Sequence, residues 1–283
     1  MTTSAAFRKI QLGEESTVHG TAVAADRIIY GELTVTPEPT QYEPANESRF
    51  SLAGRHTRDI ISQLTTLSYE GVADFQSLHT LFTNALVGGV SGTGANEDKT
   101  WLFTWKTLAA NAPKTFTWEY GSNIQAFEVA NVFPTELSIA FTMEEAVGIS
   151  MAMSGSILTP TTITSLSYAN FARELVKASH LKVYINDSQA TIGDTEFAGK
   201  VVGCTLTIPT GLEMARYAKG SLNPSAYVEA VRIPTLEMTF AFDSNADAEV
   251  DDFQANTDRF IRLFVDSGVE IASTGTLVEI LSP

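Results

Sequence analysis

Metal or nucleophilic chemistry in this chain would have to be built from four histidines, His19, His56, His79 and His180, and one cysteine, Cys204. No histidine stands at ligand spacing from another histidine or from the cysteine, and no His-Glu-x-x-His pair occurs. A zinc centre needs three or four such side chains converging, so no metal site is expected. The serines lack the Gly-x-Ser-x-Gly turn that exposes a nucleophile. Gly88-Gly89-Val-Ser-Gly92-Thr-Gly94 is glycine-rich, but it follows a helical pattern and lacks the closing Lys-Ser/Thr of a phosphate loop. It reads as a flexible connector, of the kind that becomes ordered against a neighbour. Asp243-Ser-Asn245-Ala-Asp247-Ala-Glu249 opens like a calcium loop, yet Ala248 holds the glycine position and Gln254 the final glutamate position. An acidic helix start, favoured by the helix dipole, accounts for it better. Asn46-Glu-Ser48 and Asn186-Asp-Ser188 fit a glycosylation pattern that has no meaning in a cytoplasmic chain. No catalytic constellation survives, so neither an enzyme nor a cofactor is expected.

Composition narrows the remaining classes. The 283 residues include 33 acidic and 18 basic side chains, a formal charge of −15. Gripping nucleic acid needs clustered Lys and Arg. A surface this acidic fits plain solubility, or a surface along which polyanions slide without sticking. A hydrophobic fraction of 44% suffices for packed cores. One cysteine cannot close an internal disulfide, and Cys204 falls at an inward strand position as a small buried thiol. No run of 18 or more apolar residues occurs, and Met1–Leu12 lacks the basic start and apolar run of a signal peptide. Neither a membrane span nor a signal peptide is expected, and the chain is read as made and folded in the cytoplasm.

The elements that would position any site come in two copies. At a shift of 173, Lys9–Val35 runs without a gap onto Lys182–Ile208, so that Lys9 meets Lys182, Gly20 meets Gly193 and Leu33-Thr-Val meets Leu206-Thr-Ile. Arg49-Phe50 with Gly54 is answered by Arg216-Tyr217 with Gly220, and Val72-Ala-Asp-Phe-Gln76 by Val250-Asp-Asp-Phe-Gln254. Duplication of a β-rich unit points to a ring or an array. Period-two alternation predicts strands at Arg27–Thr36, Glu47–Ala53, Gln63–Glu70, Trp101–Trp105, Thr115–Tyr120, Ile124–Asn131, Thr135–Thr142 and Val147–Ser154. In the second copy, strands are predicted near Leu181–Ile185, Lys200–Ile208, Leu212–Lys219 and Ile233–Phe242, with closing strands to Leu281. Phe75, Leu78, Phe82 and Leu86 recur at helical spacing behind an Asp74 N-cap and before Gly88-Gly89. A second capped helix is predicted at Asp247–Phe260 and a short one at Asn170–Ala178, while Thr159–Ser165 reads as a linker. The chain therefore divides into residues 1–165 and 166–283, each a sheet or barrel with one helix at its side.

The opening segment, Glu14-Glu15-Ser-Thr17-Val-His-Gly20-Thr21, leads into a strand and a hairpin-rich β unit with one flanking helix. Phrase and element order resemble the major tail tube proteins of long-tailed bacteriophages, over the whole chain as an order of elements. The resemblance implies a mainly β fold: two tandem β-sandwich or half-barrel units, each with a side helix. Six such units close a ring, the inner sheets join into one barrel, and rings stack into a hollow tail of the virion. The tandem form implies homotrimeric rings with pseudo-sixfold symmetry, although tandem units would also serve a hexamer. Its partners would be further copies of itself, the tape measure, tail terminator and baseplate proteins, and viral DNA that passes without specific binding. Glu32, Thr34, Glu136, Ser138, Ser150, Ser154, Thr205 and Thr207 are the candidates for the lumen. By position, Met1–Gly20, Thr36–Ser48 and Val90–Thr100 are the candidates for contacts between rings, with Glu38, Gln41, Tyr42, Asn46, Gly92, Gly94 and Asn96 among them. The copies diverge after their helices, where the first has many more residues. Two other readings compete. One is the tube subunit of a contractile injection machine, which usually has a single shorter unit. The other is a duplicated β-sandwich that binds glycan or a receptor on Trp101, Trp105, Trp118 and Tyr120.

Overall fold

The computed structural model describes residues 8–16, 21–42, 59–93, 98–106, 108–122, 124–167, 173–216, 222–224, 226–266 and 275–281. Within them the chain is predominantly β, with two α-helices. The first half holds β1 (Lys9–Glu14), β2 (Arg27–Ile29), β3 (Gly31–Pro37), β4 (Thr40–Tyr42), β5 (Asp59–Ser62) and β6 (Thr65–Val72). Helix α1 (Phe75–Ala85) follows, then β7 (Asp98–Thr100), β8 (Phe116–Gly121), β9 (Ala126–Thr142), β10 (Gly148–Gly155) and β11 (Leu158–Thr161). The second half holds β12 (Leu181–Asn186), β13 (Val201–Pro209), β14 (Leu212–Ala215), β15 (Ala226–Glu229), β16 (Thr235–Phe240), α2 (Ser244–Gln254), β17 (Phe260–Val265) and β18 (Gly275–Leu281).

Strand β9 organises the first half. Ile124–Asn131 and Thr135–Thr142, expected as two strands, are one strand of 17 residues bent in the middle. Asn131 sits at φ 55°, a left-handed conformation that Asn tolerates better than most residues. Before the bend β9 pairs with β8 and β11, and after it with β10 and β13. The corner is fastened by the fully buried carboxylate of Glu15. It accepts from the Asn131 amide at 2.7 Å and from the hydroxyls of Thr115 and Thr117 at 2.7 and 2.9 Å. Strands from both ends of β9 close on one core, in which the Tyr69 and Trp118 rings meet at 5.8 Å.

The halves repeat their pairings. The antiparallel pair β1–β8 recurs as β12–β17, β3–β6 as β13–β16, β4–β5 as β14–β15, and β8–β9 as β17–β18. They are also joined. β13 pairs directly with β9, β7 pairs in parallel with β18, and a single apolar cluster runs from Leu12 to Val265.

The helices differ in how they are seated. Asp74 caps α1 by accepting from the Ser77 amide at 2.8 Å. Leu78 and Phe82 line one small apolar cavity with Leu263 and Val265 of β17, and α1 lies against β9 and β18. Helix α2 starts earlier than the predicted Asp247–Phe260, because Asp243 is its cap and accepts from the Asn245 and Ala246 amides. It stops at Gln254, Asn256 turns to φ 53°, and Phe260 opens β17. Asp243, not Asp252, therefore occupies the place of Asp74, and the apparent match of residues 72–76 with 250–254 is not structural.

Several local expectations change for physical reasons. The predicted linker Thr159–Ser165 begins as β11, and the buried Glu119 carboxylate then accepts from the Thr164 amide and hydroxyl. Residues 173–177 of the predicted helix Asn170–Ala178 run extended, bridging Asp74 to Leu175 and Ala146 to Lys177, before a short 3-10 turn at Ala178–His180. Residues 101–105 join no strand. Their alternation comes from packing on α1, with Trp101 stacked on His79 at 4.8 Å and Phe103 edge-on to Phe82 at 5.7 Å. The predicted strand Glu47–Ala53 lies outside the described residues.

Replacing Glu15 with Ala removes three charge-assisted bonds and strands their donors, which should cost about 3 kcal/mol or more. Urea unfolding should show a lower midpoint with an unchanged slope. A midpoint within error of the parent would show that Glu15 does not hold the corner.

Candidate functional site: the polar face of the joined sheet

The second half of β9 lies inside a six-stranded antiparallel sheet ordered β3-β6-β10-β9-β13-β16, four strands from the first half and two from the second. Alternation gives this sheet two unlike faces. Leu33, Leu67, Tyr69, Ile149, Met151, Leu137, Ile139, Cys204 and Leu206 are buried on one of them. On the other, strand register aligns polar side chains in rows. Glu32 opposes Glu70, Glu70 opposes Ser150, Ser150 opposes Ser138, Ser138 opposes Thr207, and Thr207 opposes Thr235. A second row runs Thr34, Ser68, Ala152, Glu136 and Pro209, and a third runs Val72, Gly148, Ala140, Thr205 and Glu237.

All eight residues singled out from the sequence lie on this one face. Glu32, Thr34 and Glu136 are exposed, while Ser138, Ser150, Ser154, Thr205 and Thr207 are half-buried, with the Ser138 and Thr207 hydroxyls 3.5 Å apart. Glu70, Ser68, Thr66, Thr235 and Glu237 share the face and were missed. The signal was present, since Glu70 alternates with Tyr69 and Glu237 with Leu236 and Met238. The rows carry Glu32, Glu70, Glu136 and Glu237 and contain no Lys or Arg. Opposing Glu32 to Glu70 across one ladder is unfavourable in isolation. In these rows the face presents carboxylates and hydroxyls and, among the described residues, no cationic side chain. Among the described residues, the outer edges of β3 and β16 have no partner strand, so the sheet ends in two open backbone ladders.

The positions proposed for contacts between rings scatter more. The Glu38 carboxylate accepts from the Thr66 hydroxyl at 2.9 Å. Gln41 and Tyr42 are not in a loop but on β4, opposite Ile60 and Asp59 of β5. That hairpin exposes Tyr42 and Ile61, at 53% and 54%. Gly92 is half-buried, and the Val90–Thr100 connector contains β7. Asn46, Gly94 and Asn96 lie outside the described residues. The aromatic set does not gather on one exposed face: Trp118 is 1% exposed in the core, Trp101 lies on His79, and Trp105 packs against the core.

Elsewhere, titratable groups are tuned by burial. The Cys204 thiol is pushed up to about 11 by burial alone. Burial, and then the charge of Arg27, push the His79 imidazole down to about 4. In Glu229, partial burial works upward, but bonds from the Asn111 and Ala112 amides, the Asn111 side chain and the Arg232 charge hold the carboxyl below its ordinary value. Among the described residues, no group of three His, Cys, Asp or Glu side chains could hold a metal ion.

His79 gives stability a pH dependence of known sign. It stays neutral in the folded chain but takes up a proton near pH 6.5 when unfolded. Its contribution is therefore complete above pH 6.5 and is lost as pH falls toward 4, by up to about 3 kcal/mol. Urea unfolding at several pH values should show that decline, and His79→Phe, which keeps the stack on Trp101, should flatten it. An equal decline in the variant would assign it to other groups.

No known family model matches the chain, and no curated protein sequence matches it.

Proposed function

We propose that this protein is a structural subunit that assembles, without catalysis, into stacked rings around a channel: the tail tube of a long-tailed bacteriophage. The observation that carries this reading is the joined sheet, apolar on one side, acidic and hydroxyl-rich on the other, and open at both edges. A sheet with open edges is a template for pairing, and closure into a barrel removes the edges. Six strands of alternating direction make β16 and β3 run oppositely. One copy can then follow another with every ladder antiparallel. The repeated strand pairings fit three copies per ring with pseudo-sixfold order.

On this reading the polar face lines the lumen. Its glutamates repel the phosphates of passing DNA, and its hydroxyls keep the wall wet without gripping. The exposed β4–β5 hairpin is suited to meet the next ring. The tape measure, terminator and baseplate proteins would contact the inside and the ends of the stack. The chain would be made in the host cytoplasm and reside in the virion tail.

Negative-stain microscopy of concentrated protein should show rings or tubes, and native mass spectrometry a species of three 30.6 kDa chains. A strict monomer at high concentration, without tubes in any ionic condition, would refute the proposal. Replacing Glu32, Glu136 and Glu237 with Lys should leave assembly intact but make the tubes retain DNA in a salt-sensitive way. Retention no greater than that of the parent tubes would place that face away from the channel.

A further inference from the structure

Within the chain, α1 of the first half lies against β18 of the second, and its Leu78 and Phe82 line one small apolar cavity with Leu263 and Val265 of β17. The repeat assigns each of these residues a counterpart. Superposing the caps Asp74 and Asp243 places Asp247 and Asp251 where Leu78 and Phe82 stand. Lys9 opposes Gly121 as Lys182 opposes Phe264, so Leu263 and Val265 answer to Tyr120 and Ser122. An apolar seat thus has a polar counterpart on both of its sides.

One side of the counterpart carries two carboxylates, and the other carries a guanidinium beside Tyr120. In α2 the Arg259 guanidinium engages Glu249 and Asp252, and Asp243 serves as the cap. Asp247 and Asp251 stay exposed, with no cation on them among the described residues. They stand four residues apart on one helix face, with Val250 between them. That helix buries only Ala246 and leaves Val250 47% and Phe253 82% exposed. On the first half, Arg8 lies over the Tyr120 ring at 5.9 Å and donates to its hydroxyl at 3.3 Å. Arg8 is exposed and has no carboxylate partner among the described residues.

We propose that α2 docks on the β8 corner of a second copy of this chain, with Asp247 and Asp251 meeting Arg8 beside Tyr120. This takes its head-to-tail arrangement from the tube reading. The seat inside the chain is greasy and permanent. Its counterpart between chains is ionic and is weakened by salt.

The test compares wild type, Asp251→Lys, Asp247→Lys/Asp251→Lys, Arg8→Glu, and Arg8→Glu combined with Asp251→Lys, by sedimentation and microscopy. Asp251→Lys lies in the last turn, where a cation suits the helix, so its folding is safe; circular dichroism checks the others. Each single-sided charge reversal should weaken association by about tenfold or more at low salt, and the combined swap should recover most of it. Wild-type association should fall as salt rises. Reversals that assemble like wild type, or a swap that restores nothing, overturn the joint while leaving the tube reading standing. Salt-sensitive head-to-tail dimers that never form tubes would keep the joint and sink the tube reading. A wild type that stays monomeric sinks both.

Discussion

A buried carboxylate sets the course of this molecule. Glu15 holds Asn131 at the point where β9 turns from one sheet into the other, and β9 pairs with four strands, β8, β10, β11 and β13. Burying an unpaired charge would be prohibitive, so the carboxylate tolerates its place only with three donors aimed at it. Those donors come from β9 itself and from the start of β8, which fixes the corner in space. From that corner the outgoing half of β9 presents one edge to β10 and the other to β13. The sheet that joins the two halves is thus built outward from one satisfied ion.

The duplicated halves are equivalent in pairing but not in packing. Helix α1 is largely buried, and both halves supply the apolar surroundings of its Leu78 and Phe82. Helix α2 buries only Ala246 among the described residues, is acidic, and is tied to its own half through Arg259. Duplication with divergence leaves one copy to act as interior and the other as surface.

Much of the architecture was legible in the sequence, and the reason is periodicity. Leu137, Ile139 and Phe141 against Glu136, Ser138 and Ala140 state both the strand and the face to be buried, and register then aligns neighbouring polar residues without further information. The same rule would have found Glu70 and Glu237. What stayed hidden was set by distant partners. The Trp101–Trp105 segment alternates because it lies on a helix, which local pattern cannot distinguish from a ladder. The Pro/Thr/Ser stretch after Ser156 looks like a linker until Val129 and Glu119 are seen to bind it. The Asp-Asp-Phe-Gln match at residue 251 misled because a helix is registered by its cap, and in α2 the cap lies nine residues earlier than that match implies.

The parallel pairing of β7 with β18 bears on biogenesis. Strand β7 belongs to the first half, yet its partner lies some 175 positions later along the polypeptide, and Leu263 and Val265, which share an apolar cavity with α1, come from β17 just before it. A ribosome delivers these pieces well after the strands of the first half. Until they arrive, Leu78 and Phe82 lack the part of their cover that the second half supplies, and contacts of such long sequence separation form slowly. Completion of the front half therefore waits on the arrival of the rear, so a nascent chain interrupted before Phe260 carries a sticky, unfinished flank.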